Sequence, residues 1–246
     1  EDLSVINKNL KIIYFNGGDT QNIVPQNADC KIIFNDTYAQ EIIEKTAEKA
    51  AFYTDVEFNI SNDNSESNEF RIFAKGKSAH AANPEKGINA QTALLCFLVD
   101  LYNRHKANVC AENNCAECQM CNDDNFFKYA GSILRMFPHG QTDGTNIGIN
   151  INNNNLSGAL TLNFGVLNLK NNVLTGGIDI RIPITNDYDI IKKAVNDTFI
   201  NNGFDIVDTH YTEPHYTDEN TDFVQTLLKS YSDITGNEAK CMAIGV

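Results

Sequence analysis

In "EFRIFAKG" the apolar residues Phe70, Ile72 and Ala74 alternate with polar ones, the two-residue period of a strand with one buried face. Farther along, Ala90, Ala93, Leu94, Phe97, Leu98 and Leu101 recur at helical spacing, and Asn89 stands where a helix N-cap belongs. Between the two lies "GKSAHAANPEKGINA", residues 76–90, in which His80 is flanked by the small residues Ala79, Ala81 and Ala82. A histidine at a strand-to-loop junction with so little bulk around it has an open approach.

The same pattern reading gives two units with a common order of elements. The first runs "LKIIYFNGG", "ADCKIIF", a helix-like "TYAQEIIEKTAEKAAFYT" and then "DVEFNI". The second runs "GALTLNFGVLNLK", a turn at "NN", "VLTGGIDIRIPI", a helix-like "NDYDIIKKAVNDTFINNG" and then "FDIVDTHY". Both read strand, strand, helix, strand. In the second helix Ile190, Ile191, Ala194, Val195, Thr198 and Phe199 form one stripe, and Gly203 is a stop signal. Ile178, Ile180 and Ile182 alternate with Asp179, Arg181 and Pro183, a strand with one wetter face. Two such units predict a pair of pseudo-symmetric α+β lobes, each an antiparallel sheet with helices on one face. A last helix, "TDFVQTLLKSYSDITG", follows the polar connector "TEPHYTDEN", which places a domain boundary near residue 212.

Composition narrows the partners. The chain has 246 residues and a formal net charge of -13, which argues against nucleic acid or an anionic membrane as the main partner. No apolar run reaches the roughly 20 residues of a membrane helix, and nothing reads as a signal peptide, so a cytoplasmic setting is expected. The first residue is Glu1 and the last is Val246, after the strand-like "MAIG"; a piece of a longer protein is expected. Cysteine count is odd, at seven. Cys30, Cys96 and Cys241 are scattered, as reduced thiols would be.

Four residue sets are able to carry chemistry. His80 suits a proton shuttle, a metal ligand or a donor to a developing oxyanion, against the plainer reading of a loop histidine bonded to a carbonyl. Arg181, on the wetter face of its strand, offers a fork matched to a carboxylate, or else a surface ion pair with Asp179. Asn22 has an amide able to donate to a substrate oxygen, although asparagine is also a turn former. Cys110, Cys115, Cys118 and Cys121 are spaced C-x4-C-x2-C-x2-C, close enough to meet at one zinc or iron–sulfur centre, or simply to sit reduced in a polar loop.

Taken together, the motifs resemble a known family. Gly76, Ser78, Ala79, His80, Pro84, Gly87, Asn89 and Ala90 match the lid signature G-x-S-A-H-x-x-x-P-x-x-G-x-N-A of the M20 metallopeptidases. "NIVPQNADCKIIF", "SGALTLNFGVL", "GGIDIRIPI" and the stretch from "EPHYTDEN" onward resemble, in the same order, pieces of the PepV-like dipeptidase branch. The resemblance implies a hydrolase of dipeptides or related small peptides that uses two zinc ions, with manganese as an alternative, and closes a lid over its substrate. It implies that His80 stabilises the tetrahedral intermediate, that Asn22 joins it, and that Arg181 holds the substrate's C-terminal carboxylate.

The departures matter as well. The H-x-D motif, the paired glutamates and the bridging aspartate that hold the metals in this family have no counterpart here. The resemblance therefore implies a fragment, inactive alone: residues 1–9 end a first catalytic-domain segment, 10–212 form the lid, and 213–246 begin a second catalytic segment. Its partners would be the rest of the catalytic domain in the parent chain and a small peptide, and the parent would be a monomer. A Cys-rich insertion is expected at about 106–122. Two rival readings are a non-catalytic binding or oligomerisation module on the same fold, and a redox or metal sensor centred on the cysteines.

Overall fold

A computed structural model describes residues 10–62, 68–112, 125–149, 157–184, 187–213 and 215–241. It is an α+β fold whose described residues contain one six-stranded antiparallel sheet and five α-helices. The strands are β1 (Leu10–Gly17), β2 (Asn27–Phe34), β3 (Glu57–Ser61), β4 (Glu69–Lys75), β5 (Thr161–Lys170) and β6 (Val173–Arg181). They lie in the order β3-β4-β2-β1-β5-β6. The helices are α1 (Ala39–Thr54), α2 (Ala90–Glu112), α3 (Asn125–Met136), α4 (Tyr188–Asn201) and α5 (Asp222–Thr235).

The first expected unit is present as β1, β2, α1 and β3, the second only as β5, β6 and α4 without its last strand, and in place of two sheets the described strands form one. β1 and β5 pair at Phe15↔Leu169 and Gly17↔Leu167, so the edge of the first unit is filled by the second. Joining edges in this way pairs backbone groups that two separate sheets would leave open. The hairpin between β5 and β6 turns at Asn171 and Asn172, with φ of 54° and 61°. Two left-handed residues in succession are what a tight hairpin with native twist requires, and asparagine tolerates that conformation.

Alternation along the strands sends Ile12 and Phe15 of β1, Cys30, Ile32 and Phe34 of β2, and Phe70, Ile72 and Ala74 of β4 into one core. Helix α2 supplies the other side. Ala90, Ala93, Leu94, Phe97, Leu98 and Leu101 are all fully buried, as their spacing predicts, and Leu95 is as well. A helix buried beyond a single stripe lies between neighbours: α2 packs on α1, α3 and the sheet. The opposite face of β1, β2 and β4 is mainly polar, with Ile13, Ile33 and Phe73 among its residues; there Tyr14 donates to Asp29 at 2.7 Å and Arg71 pairs with the same carboxylate at 3.0 Å.

Three features depart from the pattern reading. The "FDIVDTHY" stretch, 204–211, forms no strand and pairs with none among the described residues, and Val207 is 96% exposed. Helix α4 has the expected boundary, with Gly203 at φ 80°, yet only Ile191 of its stripe is buried and Ile190 faces outward. Helix α3, with Phe126, Phe127, Ala130 and Ile133 buried, was not foreseen. Helix α2 continues unbroken through 106–112, so the first part of the expected Cys-rich segment is helical.

Candidate functional site

His80 and Asn22 meet through their backbones. An isolated bridge pairs Ile23 with His80, the Ala81 N–H donates to the Asn22 carbonyl at 2.9 Å, and the Val24 N–H donates to the Ala79 carbonyl at 2.8 Å. Two loops distant in sequence are thus stitched into a short two-stranded ribbon that carries both side chains, and both residues are exposed. Asn89 anchors the far end of the His80 loop. Its side-chain oxygen accepts from the N–H groups of Gln91 and Thr92, capping α2, while its amide donates to the Phe164 carbonyl at 2.8 Å.

The ring of His80 has a fixed sense. The Ala82 N–H donates to Nδ1 at 3.1 Å, so in the neutral ring Nδ1 is the acceptor and Nε2 carries the proton. This histidine accepts from the backbone, the reverse of a loop histidine donating to a carbonyl. Its outward N–H is a donor of the type that an oxyanion requires.

Strand β5 holds the ribbon down. Asn163, 3% exposed, donates from one amide nitrogen to the carbonyls of Gln21 at 2.7 Å and Ile23 at 2.9 Å. Thr161, two residues away on the same face, donates its hydroxyl to the Ala81 carbonyl at 2.9 Å. Glycines make the close approach feasible. A Cβ on Gly165 would stand 2.4 Å from the Gln21 carbonyl oxygen, and one on Gly177 would stand 2.6 Å from Gln21 Cγ. The polar positions in "TLNFGVLNLK" and the paired glycines of "TGGIDIR" were the available sequence signals for this clamp.

Arg181 ends β6 directly across from Thr161, and Asp179 lies across from Asn163. Cross-strand partners project to the same face, so Arg181 and Asp179 stand beside the side chains that hold the Asn22 and His80 segments. Ile178 and Ile180 project to the other face, against the core. The guanidinium is engaged with Asp179: Nε donates at 2.6 Å and Nη2 at 2.8 Å, both side chains being largely buried. The carboxylate expected as one option from sequence is therefore the partner found.

Beneath the ribbon lies a cavity of about 190 Å³, lined by Val24, Gly87, Asn89, Thr92, His139 and Asn163 among others. His139 bridges two helices there, with Nδ1 2.8 Å from the Thr92 hydroxyl and Nε2 2.9 Å from the Thr54 carbonyl. Nε2 must donate to that carbonyl, so Thr92 donates to Nδ1 in the neutral ring. Burial pushes the His139 pKa below its ordinary value, and the hydrogen bond to Thr54 only partly offsets this.

No group of three or more His, Cys, Asp or Glu that could hold a metal exists among the described residues. The described side chains thus provide no ligand set for a pair of zinc ions. The side chains of Cys110, Cys115, Cys118 and Cys121 lie outside the described residues. Cys30 is fully buried and its thiol pKa is pushed far up by desolvation, while that of Cys96 is pushed up to about 11, also chiefly by burial. Both are poor nucleophiles. No helix among the described residues is long and apolar enough to cross a membrane.

The sheet, the ribbon and the signature around His80 define a class. Residues 63–202 match the model of the M20 peptidase dimerisation domain, and the chain belongs to that family. It is similar along 96% of its length to proteins named "Putative dipeptidase" in Staphylococcus haemolyticus, at 24% identity over 238 residues, and in Staphylococcus aureus, at 24% over 240 residues. The chain spans 45% of the length of these curated relatives.

Proposed function

We propose that this chain is the lid and substrate-binding part of a two-metal dipeptidase, acting on dipeptides or related small peptides. One observation carries the reading: the Asn22 and His80 segments are stitched together and clamped on β5, directly beside Arg181 on β6. In this reading the Nε2–H of His80 donates to the oxyanion of the tetrahedral intermediate, and the Asn22 amide contributes a second donor. Arg181 takes the C-terminal carboxylate, fixing the peptide so that its scissile carbonyl faces His80.

The catalytic zinc ions, or manganese, belong in this proposal to the rest of the parent protein, where they would activate water and polarise the carbonyl. Helix α5 supports that division. It has no buried residue, and Phe223, Leu227, Tyr231 and Ile234 are exposed at 70%, 53%, 51% and 84%, an apolar face suited to a catalytic domain. Residues 10–212 then form the lid, two pseudo-symmetric units on one sheet, and 213–246 lead into that catalytic domain. The parent is taken to be a cytoplasmic monomer, with the two units of one chain standing in for two copies.

The test is His80→Ala in the full-length parent enzyme. Loss of an oxyanion donor of this kind costs about 10²–10³ in kcat. Because the His80 side chain is exposed and, among the described residues, accepts one hydrogen bond, the unfolding free energy should stay within about 0.5 kcal/mol of the parent. A kcat within about threefold of the parent on a dipeptide, against that expected loss, would refute the assignment.

A further inference from the structure

The proposed substrate clamp contains a residue for which neither the motif nor the family match supplies a role. Arg181 donates from Nε and Nη2 to the two oxygens of Asp179, a side-on bidentate pair at 2.6 and 2.8 Å. A guanidinium has five N–H groups in one plane. The side-on pair occupies two of them and leaves the end-on edge, one N–H on each Nη, without a partner among the described residues. That edge is itself a fork of the right width for a second carboxylate.

We infer that Asp179 is the positioning residue of the carboxylate clamp: it fixes the plane and direction of Arg181 so that the end-on fork faces the peptide's C-terminus. The inference rests on the dipeptidase reading above. Three features support it. Asp179 and Arg181 are two residues apart on one strand face, so the pair adds no loop freedom. Their backbones are set by pairing with Asn163 and Thr161, the residues that hold the Asn22 and His80 segments. Clamp and oxyanion donor thus share one rigid frame. Finally, both side chains are only 16–17% exposed, so the pair is shielded from competing water and fixed by its surroundings.

Two effects of Asp179 on a bound carboxylate oppose each other. Its negative charge repels the substrate, which would weaken binding; its hydrogen bonds pre-orient Arg181, which strengthens it. Orientation wins here if Arg181, once released, turns away into solvent, as a long side chain with several rotatable bonds does.

Asp179→Asn, Asp179→Glu and Arg181→Ala in the full-length enzyme decide the matter, assayed on a dipeptide and on the same dipeptide with a C-terminal amide. Asp179→Asn should raise KM for the dipeptide about tenfold, the scale of one charge-assisted hydrogen bond, with kcat changed less than about twofold. KM for the amide should not move, and Asp179→Glu, which keeps the charge, should fall in between. If Arg181→Ala raises KM for the dipeptide but both Asp179 variants leave it unchanged or lower, Asp179 does not position the clamp and the Arg181 reading stands. A rise of equal size for dipeptide and amide shows a merely structural role and overturns the inference. If Arg181→Ala is also without effect, the carboxylate reading itself fails. Should Asp179→Asn not fold, the Asp179→Glu comparison between the two substrates applies the same criteria.

Discussion

Asn163 is the residue on which the site's architecture turns, and its replacement can be worked out in some detail. Its amide nitrogen donates to the carbonyls of Gln21 and Ile23, at 2.7 and 2.9 Å, from a side chain that is 3% exposed. Because both neighbours are carbonyl oxygens, the nitrogen, not the oxygen, must face them. Asn163→Leu keeps the shape and deletes both bonds. A neutral hydrogen bond contributes about 0.5–1.5 kcal/mol net, so two are worth about 1–3 kcal/mol. The Gln21 carbonyl oxygen is packed so close over β5 that a Cβ on Gly165 would meet it at 2.4 Å, and Asn163 is itself buried, so losing the amide leaves these acceptors short of a partner and the cost belongs toward the upper end of that range. Asn163→Asp is a sharper perturbation. An ionised carboxylate would turn two acceptors toward two carbonyls, whereas the protonated form can still donate to one. Its folded-state pKa is therefore raised, and its destabilisation should grow as pH rises through the ordinary aspartate value of about 3.9 and level off above the raised one. The Leu variant should show no such trend. Urea unfolding followed by far-UV circular dichroism reads both, and at about 2–4 °C per kcal/mol the Leu variant should melt roughly 2–12 °C lower. Asn163→Leu with a stability within about 0.5 kcal/mol of the parent, below the smallest expected loss, would refute the clamp.

Two further expectations concern the same region. Gly165→Ala brings a Cβ to 2.4 Å from backbone at Gln21, where nothing flexible can yield, so it should cost about 1–3 kcal/mol or more in chemical unfolding. Gly177→Ala meets a side chain instead, 2.6 Å from Gln21 Cγ, and should cost distinctly less; equal losses would contradict the placement of Gln21. His139 predicts a pH effect of definite sign. Its folded pKa lies below the ordinary 6.5, so the unfolded chain binds its proton first and stability falls as pH drops from about 6.5 toward the folded value. Unfolding free energies at pH 7 and pH 5 should differ less in His139→Gln than in the parent, with Glu85→Gln, from the same cavity, as the control carboxylate; an unchanged difference would show that His139 is not the group responsible.

Much of this molecule is legible in its amino-acid order. The strands β1, β2, β4, β5 and β6 follow from alternation, α2 from its apolar stripe and Asn89 cap, and the hairpin from Asn171 and Asn172. These are local properties: a residue's neighbours at two or at three and four positions decide which face it shares. The motif around His80 was equally visible, because loop chemistry is written in contiguous residues.

What the order of residues could not determine is who stands beside whom. "FDIVDTHY" has the composition of a strand, but a strand requires a partner edge, and among the described residues it has none. Helix α3 is a different case: Phe126, Phe127, Ala130 and Ile133 recur at helical spacing, a local signal that was present in the sequence and passed over. The pairing of Asp179 with Arg181, the descent of the Asn22 loop onto Asn163, and the bridge between Ile23 and His80 all join residues through the register of distant strands. A shift of one residue in the β5–β6 register would turn Asp179 and Arg181 into the core and separate them from the His80 ribbon. Sequence supplied the chemical groups; the register of one sheet decided that the segments carrying them lie side by side.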